Sequence, residues 1–256
     1  MNEGKKIAVG VQLWTLREEC QRDIWGTLEK IAQVGYRWIE PYTLYGIDAH
    51  EFSRVLKDMG LRVVSSHVDF DALVNSLDRV IADHEELECH TLICPWLDES
   101  RRQGSDAFEK VGRILNGIGS KLRTRGYSLL YHNHDFEFTL ARDPDGFQRI
   151  LAQADPRNLG AQLDAYWVSH AGFNPIEYLR GVAGRVRSIH LKDGDPAAGT
   201  FTPVGQGKLD IGSLVSAGRE LGVQTFIVEQ DIHNKLTAIE SIRLSLDYLR
   251  EQGLTG

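Results

Sequence analysis

Residues 127–138 read YSLLYHNHDFEF, an apolar run of strand-forming residues that ends in a dense group of polar side chains. Alternation along the run places Leu129 and Tyr131 on one face and His132 and His134 on the other. A surface loop has no need of two imidazoles, and a packed core does not accept them without hydrogen-bonding partners. The stretch therefore predicts a strand that carries functional groups at its carboxyl end.

The same pattern, a short β-rich run followed by a longer amphipathic one, repeats along the chain. The strand candidates are IAVGVQLW (7–14), YRWIEPY (36–42), LRVVSSHV (61–68), HTLICPW (90–96), YSLLYHNH (127–134), NLGAQLD (158–164), VRSIHLK (186–192) and TFIVEQD (225–231). Helix-stop glycines stand near the ends of intervening segments, at Gly35, Gly60, Gly126 and Gly222. Eight such units in 256 residues predict an α/β fold, a (β/α)8 TIM barrel that forms a single domain over residues 1–256.

An open, doubly wound sheet is the main competing fold. Such sheets often carry a glycine-rich phosphate loop after the first strand, whereas QLWTLREEC (12–20) contains no glycine. The chain also shows no linker, low-complexity tract or Pro/Gly-rich seam that would mark a second domain. These features favour the barrel.

Composition and charge argue against several classes of function. Lys and Arg number 29 and Asp and Glu number 36, which gives a formal net charge of −7, so we expect no nucleic-acid partner. The apolar runs stay well short of the roughly 20 residues of a membrane helix, and the first residues resemble a strand more than a signal peptide. Three cysteines without metal-type spacing predict reduced thiols and a cytoplasmic location.

Polar residues gather at the predicted strand ends, where barrels of this kind place their active sites. The alternation of side chains along each strand predicts that four of these residues face the barrel interior: His132, Asp164, His190 and Glu229. Two imidazoles and two carboxylates that converge on one point predict a site for one divalent metal ion. These mixed donors favour Mn²⁺, Zn²⁺, Co²⁺ or Fe²⁺ over Mg²⁺, and such an ion can stabilise an enediolate next to a carbonyl. The alternative is a hydrogen-bonded polar plug.

Further residues at the strand ends are candidate substrate contacts, namely His67, Glu40, His134, Trp14, Trp167 and His170. Aromatic walls suit the apolar faces of sugar rings, and for each residue the alternative is a structural contact. Lys192 shares the inward face of His190 and is a candidate catalytic group, with a salt bridge to Asp193 or Asp164 as the alternative. Glu137 is either catalytic or holds its loop.

The stretch PVGQGKLD (203–210) contains two glycines that could cradle a phosphate or allow a loop to close over a substrate. We favour a simpler interpretation, a tight turn before a helix that has Asp210 as its N-cap. Nothing else in the sequence requires a phosphorylated substrate.

The motifs YHNHDFEF, QLDAYWVSHAG, IHLKDGD, PVGQGKLD and FIVEQD resemble, in content and order, those of the xylose-isomerase-like superfamily of sugar isomerases and epimerases. This superfamily also includes inosose dehydratases, ketose 3-epimerases and endonuclease IV, of the AP-endonuclease family 2 type. The resemblance covers essentially the whole chain. It implies a metal-dependent sugar or keto-sugar isomerase or epimerase that removes a proton next to a carbonyl. A lyase or dehydratase of a keto sugar or keto inositol is the alternative.

One position departs from the family pattern. In ketose epimerases of the family, Glu, Asp, His and Glu from strands five to eight hold the metal, and the two glutamates act as bases on opposite faces of the substrate. The last three fall here on Asp164, His190 and Glu229, whereas the first falls on His132. One base is therefore missing or replaced, and His132 either binds the metal as a neutral imidazole or shuttles a proton itself. The resemblance implies Glu229 as the base, with Lys192, Glu137 or His134 assisting proton movement.

Two other classes of function stay open. A nuclease like endonuclease IV needs a larger metal cluster and a basic DNA-binding face, which the net charge of −7 opposes. A non-catalytic sugar-binding barrel would bind its ligand without metal. The preferred interpretation is an enzyme whose partner is a small sugar, and the resemblance also admits a homo-oligomer.

Overall fold

The computed structural model describes residues 7–141 and 144–254. Its strands are β1 (Ala8–Gln12), β2 (Trp38–Glu40), β3 (Arg62–Val63), β4 (Ser66–His67), β5 (Thr91–Cys94), β6 (Ser128–His132), β7 (Gly160–Asp164), β8 (Val186–Leu191), β9 (Asp193–Asp195), β10 (Thr200–Thr202) and β11 (Thr225–Val228). Its α-helices are α1 (Arg17–Arg22), α2 (Ile24–Val34), α3 (Ala49–Asp58), α4 (Phe70–Asn75), α5 (Leu77–Glu86), α6 (Ala107–Thr124), α7 (Phe136–Thr139), α8 (Gly146–Ala152), α9 (Ala165–His170), α10 (Pro175–Gly181), α11 (Ile211–Glu220) and α12 (Ala238–Glu251). Short 3-10 helices span Leu13–Leu16, Glu99–Arg102 and Pro196–Ala198.

Nine strands form one parallel sheet in the order β3-β2-β1-β11-β8-β7-β6-β5-β4. Its end strands, β3 and β4, are consecutive parts of one irregular segment that bonds to β2 on one side and to β5 on the other. The sheet is therefore a nearly closed barrel with helices outside, which confirms the predicted (β/α)8 TIM barrel. The strand predicted over 61–68 is broken between Val63 and Ser66, where Ser65 turns its hydroxyl towards Glu40 Oε2.

Helix boundaries follow local signals in the sequence. α2 begins after Asp23, whose carboxylate accepts a hydrogen bond from the backbone N–H of Gly26. It ends at Gly35, whose φ of 114° is readily adopted only by glycine. Asp210 caps α11 by accepting from the backbone N–H of Ser213 at 3.0 Å, which confirms the predicted N-cap.

The hydrophobic core lies between the strands and the surrounding helices, while the barrel interior is polar at its carboxyl end. Leu163 and Ile189 belong to the core cluster, whereas Gln162 is buried and reaches Glu40 across the barrel. The three cysteines are free and buried. Among the described residues, no helix is long and apolar enough to cross a membrane.

A hairpin that the sequence patterns do not predict follows β8. Its strands β9 and β10 pair antiparallel, and it packs on α9. The hydroxyl of Tyr166 donates to Thr200 O at 3.1 Å, and its ring stacks on Phe201 with 4.6 Å between ring centroids. The hairpin therefore extends the barrel wall above β7 and β8.

The glycine-containing stretch 203–210 folds around the carboxylate of Asp193. This carboxylate accepts hydrogen bonds from the backbone N–H groups of Gly194, Gly205, Gly207 and Leu209, over 2.7–3.2 Å. A Cβ at Gly207 would stand 2.0 Å from Asp193 Oδ1, so only glycine allows this approach. Because a side chain of the protein itself fills the ring of amides, the structure agrees with a tight turn and not with an open phosphate cradle.

Candidate functional site

A buried polar cluster occupies the inside of the barrel at the carboxyl ends of its strands. His132 ends β6, Asp164 ends β7, His190 lies near the end of β8, and Glu229 directly follows β11. One potential ligand atom of each lies within 4.8 Å of those of the other three, and all four side chains are buried. The structure thus brings together the four residues predicted to bind a metal.

His190 lies between two carboxylates. Its Nδ1 is 2.8 Å from Glu229 Oε2, and its Nε2 is 2.6 Å from Glu40 Oε1. Burial alone would lower the pKa of His190, but the charges of Glu40 and Glu229 outweigh this effect and raise it to about 10. The imidazole is therefore positively charged at neutral pH, and one ring proton must leave before the ring binds a cation.

Lys192 forms the edge of the cluster. Its Nζ lies 2.9 Å from Asp231 Oδ2, 3.1 Å from Glu229 Oε2 and 3.2 Å from Asp164 Oδ2. Burial opposes its charge, yet these three carboxylates hold the pKa of Lys192 well above its usual value. The predicted salt bridge to Asp164 is present, whereas Asp193 is engaged by backbone amides. Asp231 was not among the predicted site residues, although its place at the end of FIVEQD was a signal for it.

One oxygen of Asp164 is open to a further partner. Its Oδ1 accepts from the backbone N–H groups of Tyr166 and Trp167 at the start of α9, at 2.9 and 3.2 Å. Its Oδ2 is buried and, within the described part of the chain, has no hydrogen bond of acceptable geometry, although the Lys192 ammonium lies near it. Buried oxygens are normally satisfied, so this atom fits the role of a metal ligand.

The net charge of the cluster also favours a bound cation. The positive groups are His190 and Lys192. The negative groups are the carboxylates of Glu40, Asp164, Glu229 and Asp231. With all four ionised, 4 − 2 leaves two uncompensated negative charges, and buried charges without a counter-charge are costly. A divalent cation that displaces one ring proton of His190 adds two positive charges and removes one, which lowers the excess from two negative charges to one, so the donor set and the charge both favour a cation here.

Glu40 lies beneath the cluster and not at its mouth. It is fully buried, and its Oε1 accepts from Gln12 Nε2 at 2.9 Å and contacts the Nε2 atoms of His67 and His190. Its Oε2 accepts from Gln162 Nε2 at 2.8 Å and from Ser65. Neighbouring side chains therefore occupy both oxygens of Glu40, which supports a structural role, and its contact with substrate stays a prediction.

His67 is also engaged beneath the cluster. Its Nε2 lies 2.9 Å from Gln162 Oε1 and 3.0 Å from Glu40 Oε1, and its ring stacks on that of His190 with centroids 5.5 Å apart. Its side chain is nearly buried. These contacts support a role for His67 in holding the His190 ring in place, and its contact with substrate stays a prediction.

His134 and Trp167 line the cluster with free polar atoms. In the described residues, His134 Nδ1 and Trp167 Nε1 are buried and have no hydrogen-bond partner. The His134 ring packs edge-on against His132 with centroids 4.9 Å apart, and Lys192 Nζ lies 5.2 Å from the Trp167 ring centroid. Free ring nitrogens at this place suit the hydroxyl groups of a substrate, so both residues stay candidates for substrate binding.

Exposed tryptophans follow two of the barrel strands. Trp14, 41% exposed, follows β1 and packs edge-on against Tyr42, with the Arg17 guanidinium 4.9 Å above its ring. Trp96, 48% exposed, follows β5 and packs edge-on against His134. The Trp14 ring therefore has exposed surface available for the predicted contact with a sugar.

Glu137 lies apart from the cluster. It is fully buried, but its Oε1 accepts from the Tyr131 hydroxyl at 2.5 Å and its Oε2 from the backbone N–H of His134 at 2.9 Å. Tyr131 lies on the outward face of β6, opposite to His132, because side chains alternate along the strand, and the turn into α7 brings Glu137 against it. Of the two predicted roles, these contacts support the loop-holding one, and the catalytic role of Glu137 stays a prediction.

His170 is tied to the hairpin and not to the cluster. Its Nδ1 lies 2.6 Å from Pro196 O, and its ring stacks on Tyr166. The side chain is exposed at the rim of α9. Its position supports a structural role in docking the hairpin, and its contact with substrate stays a prediction.

The chain resembles known proteins both in sequence and in fold. Residues 28–252 match the family model described as "Xylose isomerase-like TIM barrel". An inosose dehydratase of Mesomycoplasma hyopneumoniae (strain 7448) is 25% identical over 213 residues, which cover 74% of this chain and 70% of the relative. The fold is shared with solved structures. A sugar phosphate isomerase/epimerase from Parabacteroides distasonis has a TM-score of 0.84 at 22% identity, with 100% of this chain and 98% of that one covered. The IOLI protein with a bound zinc atom has a TM-score of 0.74 at 16% identity, with 96% and 98% covered.

Proposed function

Because the chain belongs to the xylose isomerase-like TIM barrel family, as its motifs predict, we propose that it is an enzyme acting on a keto sugar or keto polyol. In this proposal it removes the proton next to the carbonyl and expels water from the adjoining carbon. The observation that carries the proposal is the buried pair of Glu229 and Lys192, whose Oε2 and Nζ atoms lie 3.1 Å apart. A carboxylate base and an ammonium acid in contact supply both groups that such an elimination needs.

The residues that would hold the metal are His132, Asp164, His190 and Glu229. A divalent cation bound there supplies Lewis-acid polarisation of the substrate carbonyl, which makes the neighbouring proton more acidic. Two imidazole donors favour Mn²⁺, Zn²⁺, Co²⁺ or Fe²⁺ over Mg²⁺. The zinc atom in the structurally similar IOLI protein agrees with this choice.

Glu229 and Lys192 share the proton movements. Glu229 takes the proton from the carbon next to the carbonyl, and Lys192 gives a proton to the hydroxyl that leaves as water. A C–H and a C–O bond break and a C=C bond forms, so the substrate becomes product plus water. The proton held by Glu229 then returns to Lys192 across their contact, while Asp164 and Asp231 keep the ammonium in place.

Elimination suits the site better than epimerisation. An epimerase needs a second group that exchanges protons on the opposite face of the substrate. His132, which stands where ketose epimerases of the family carry a glutamate, has Nδ1 3.0 Å from Gln162 Oε1 and Nε2 3.9 Å from Asp164 Oδ2. Neither nitrogen is free for such a role once a metal is bound. The similarity to an inosose dehydratase supports the same reaction class.

Isomerisation or epimerisation at the same carbonyl is the second candidate function. The observation that favours it is His134, whose buried Nδ1 has no partner among the described residues and whose ring lies against His132. A group at this place can return a proton to the face opposite Glu229. The substrate would be the same class of small sugar.

The test is to incubate the metal-loaded protein with a panel of keto sugars and keto inositols in D₂O and to analyse the products by mass spectrometry. Elimination yields a product lighter by one water, whereas isomerisation keeps the mass apart from added deuterium. Glu229→Gln should abolish both signals, and Lys192→Met should suppress loss of water more than deuterium uptake. Lys208→Met, which alters an exposed lysine paired with Asp195, is the matched control. Binding of sugars with no turnover, with or without metal, would contradict the proposal.

A further inference from the structure

Two polar side chains beneath the cluster, Gln162 and Glu40, contact both imidazoles of the candidate metal site. Gln162 Oε1 lies 3.0 Å from His132 Nδ1, and Glu40 Oε1 lies 2.6 Å from His190 Nε2. Gln162 Nε2 joins the two by donating to Glu40 Oε2 at 2.8 Å. All four side chains are buried. They form one continuous hydrogen-bonded chain in the order His132, Gln162, Glu40, His190.

The chemistry of Glu40 fixes the direction of the hydrogen bonds at Gln162. An ionised carboxylate only accepts hydrogen bonds, so Gln162 must turn its NH₂ group towards Glu40. The second N–H of this group points to Ser188 Oγ, 3.2 Å away. The carbonyl of Gln162 then faces His132 Nδ1 and His67 Nε2, and both of these nitrogens must donate.

The opposite orientation of the Gln162 amide is disfavoured by its contact with Glu40. It would set the carbonyl oxygen of Gln162 against the Glu40 carboxylate, which has no proton to donate. Buried polar groups left without a partner cost free energy comparable to a lost hydrogen bond. Gln162 is therefore locked with all of its hydrogen-bonding capacity used.

The imidazole protons determine which nitrogens remain for a metal. A neutral imidazole that donates from one nitrogen has its lone pair on the other. His132 thus presents Nε2, 3.9 Å from Asp164 Oδ2, and His190 presents Nδ1, 2.8 Å from Glu229 Oε2. Each presented nitrogen faces one carboxylate of the candidate ligand set.

We propose that Gln162 and Glu40 act as one positioning pair, which sets the nitrogen that each histidine offers to the metal. The inference rests on the proposed function, since it concerns the metal site of that function. Groups that accept the second ring N–H of a metal-binding histidine orient the ring and raise its basicity, and their loss typically lowers metal affinity about 10- to 100-fold. Gln162 thereby provides the acceptor that lets a histidine serve at position 132.

The first test measures Zn²⁺ and Co²⁺ affinity by competition with a chelating dye for the wild type, Gln162→Met and Glu40→Gln. Each variant should raise the metal Kd about 10- to 100-fold, and the visible spectrum of the Co²⁺ form should change. Ser188→Ala is the matched control because Ser188 contacts Gln162 but neither imidazole of the ligand set. Thermal melting of the metal-free proteins separates loss of affinity from loss of folding.

The second test needs no variant and so does not depend on the folding of one. Long-range ¹H–¹⁵N NMR of the Zn²⁺-loaded wild type, labelled at its histidines, identifies the protonated nitrogen of each ring. We expect Nδ1–H for His132 and Nε2–H for His190. Opposite tautomers, or variants that bind metal as tightly as the wild type, would overturn this inference alone. A wild type that binds no metal would overturn the proposed function and the inference with it.

Discussion

Replacing Glu137 by glutamine is expected to change how stability depends on pH. Glu137 is fully buried, and burial raises its pKa from the ordinary 4.5 to about 7, despite the opposing hydrogen bonds from Tyr131 and His134. Between pH 4.5 and pH 7 the folded state therefore holds a proton that the unfolded chain has lost. The free energy of unfolding contributed by this group is greatest below pH 4.5, falls as the pH rises towards 7, and is constant above it.

The size of this effect follows from the two pKa values of Glu137. The interval from 4.5 to about 7, multiplied by about 1.4 kcal/mol per pH unit, gives about 3–4 kcal/mol. The glutamine side chain is neutral throughout this range. Its oxygen can accept from the His134 backbone N–H and its NH₂ group can donate to the Tyr131 hydroxyl oxygen, so the loop contacts persist.

Urea unfolding of the wild type and Glu137→Gln, repeated from about pH 4 to about pH 8, measures the difference directly. Relative to that of the wild type, the unfolding free energy of the variant should rise by about 3–4 kcal/mol as the pH increases through this interval. Glu18→Gln, at an exposed position, controls for the loss of one charge. A difference between wild type and variant that stays constant with pH would refute the reasoning that burial holds this carboxyl protonated.

Three further predictions concern the site and its wall. Asp164→Asn should keep the N-cap of α9, because asparagine caps as well as aspartate, but should raise the metal Kd by more than about 100-fold; calorimetry and metal titration separate the two effects. Asp193→Asn should cost about 1–3 kcal/mol of unfolding free energy, since an amide group would face backbone N–H donors, and unaltered denaturation curves would contradict this. If the Trp14 ring packs on the substrate, Trp14→Ala should raise KM about 3- to 10-fold with little change in kcat. Steady-state kinetics measure both constants, and an unchanged KM would contradict the contact.

The fold and the four candidate ligands could be predicted because their signals are local. Each β/α unit carries its own strand run, helix cap and stop glycine, as α2 shows between Asp23 and Gly35. The side-chain alternation of a strand fixes which residues face inward, and parallel strands bring their carboxyl ends to one place. His132, Asp164 and His190 therefore meet without any knowledge of side-chain conformations.

The contacts of Glu40 and Glu137 could not be predicted, because they depend on residues across the barrel or on the direction of the chain after a strand ends. Glu40 lies 122 residues from Gln162 and 150 from His190 in sequence, and no periodicity shows that these partners occupy both of its oxygens. Glu137 follows a turn into α7, where strand alternation no longer applies. The β9–β10 hairpin escaped prediction because DGDPAAGTFT (193–202) has neither apolar alternation nor a helical pattern.

The central claim is that the buried cluster binds one divalent metal ion. Anomalous diffraction from crystals soaked in Co²⁺ or Mn²⁺, recorded at the absorption edge of the metal, tests it most directly. The expected result is a single peak enclosed by His132 Nε2, Asp164 Oδ2, His190 Nδ1 and a carboxylate oxygen of Glu229. A map without a peak at this place, in which Lys192 still contacts both Asp164 and Glu229, would contradict the claim and show that the lysine ammonium is the resident cation.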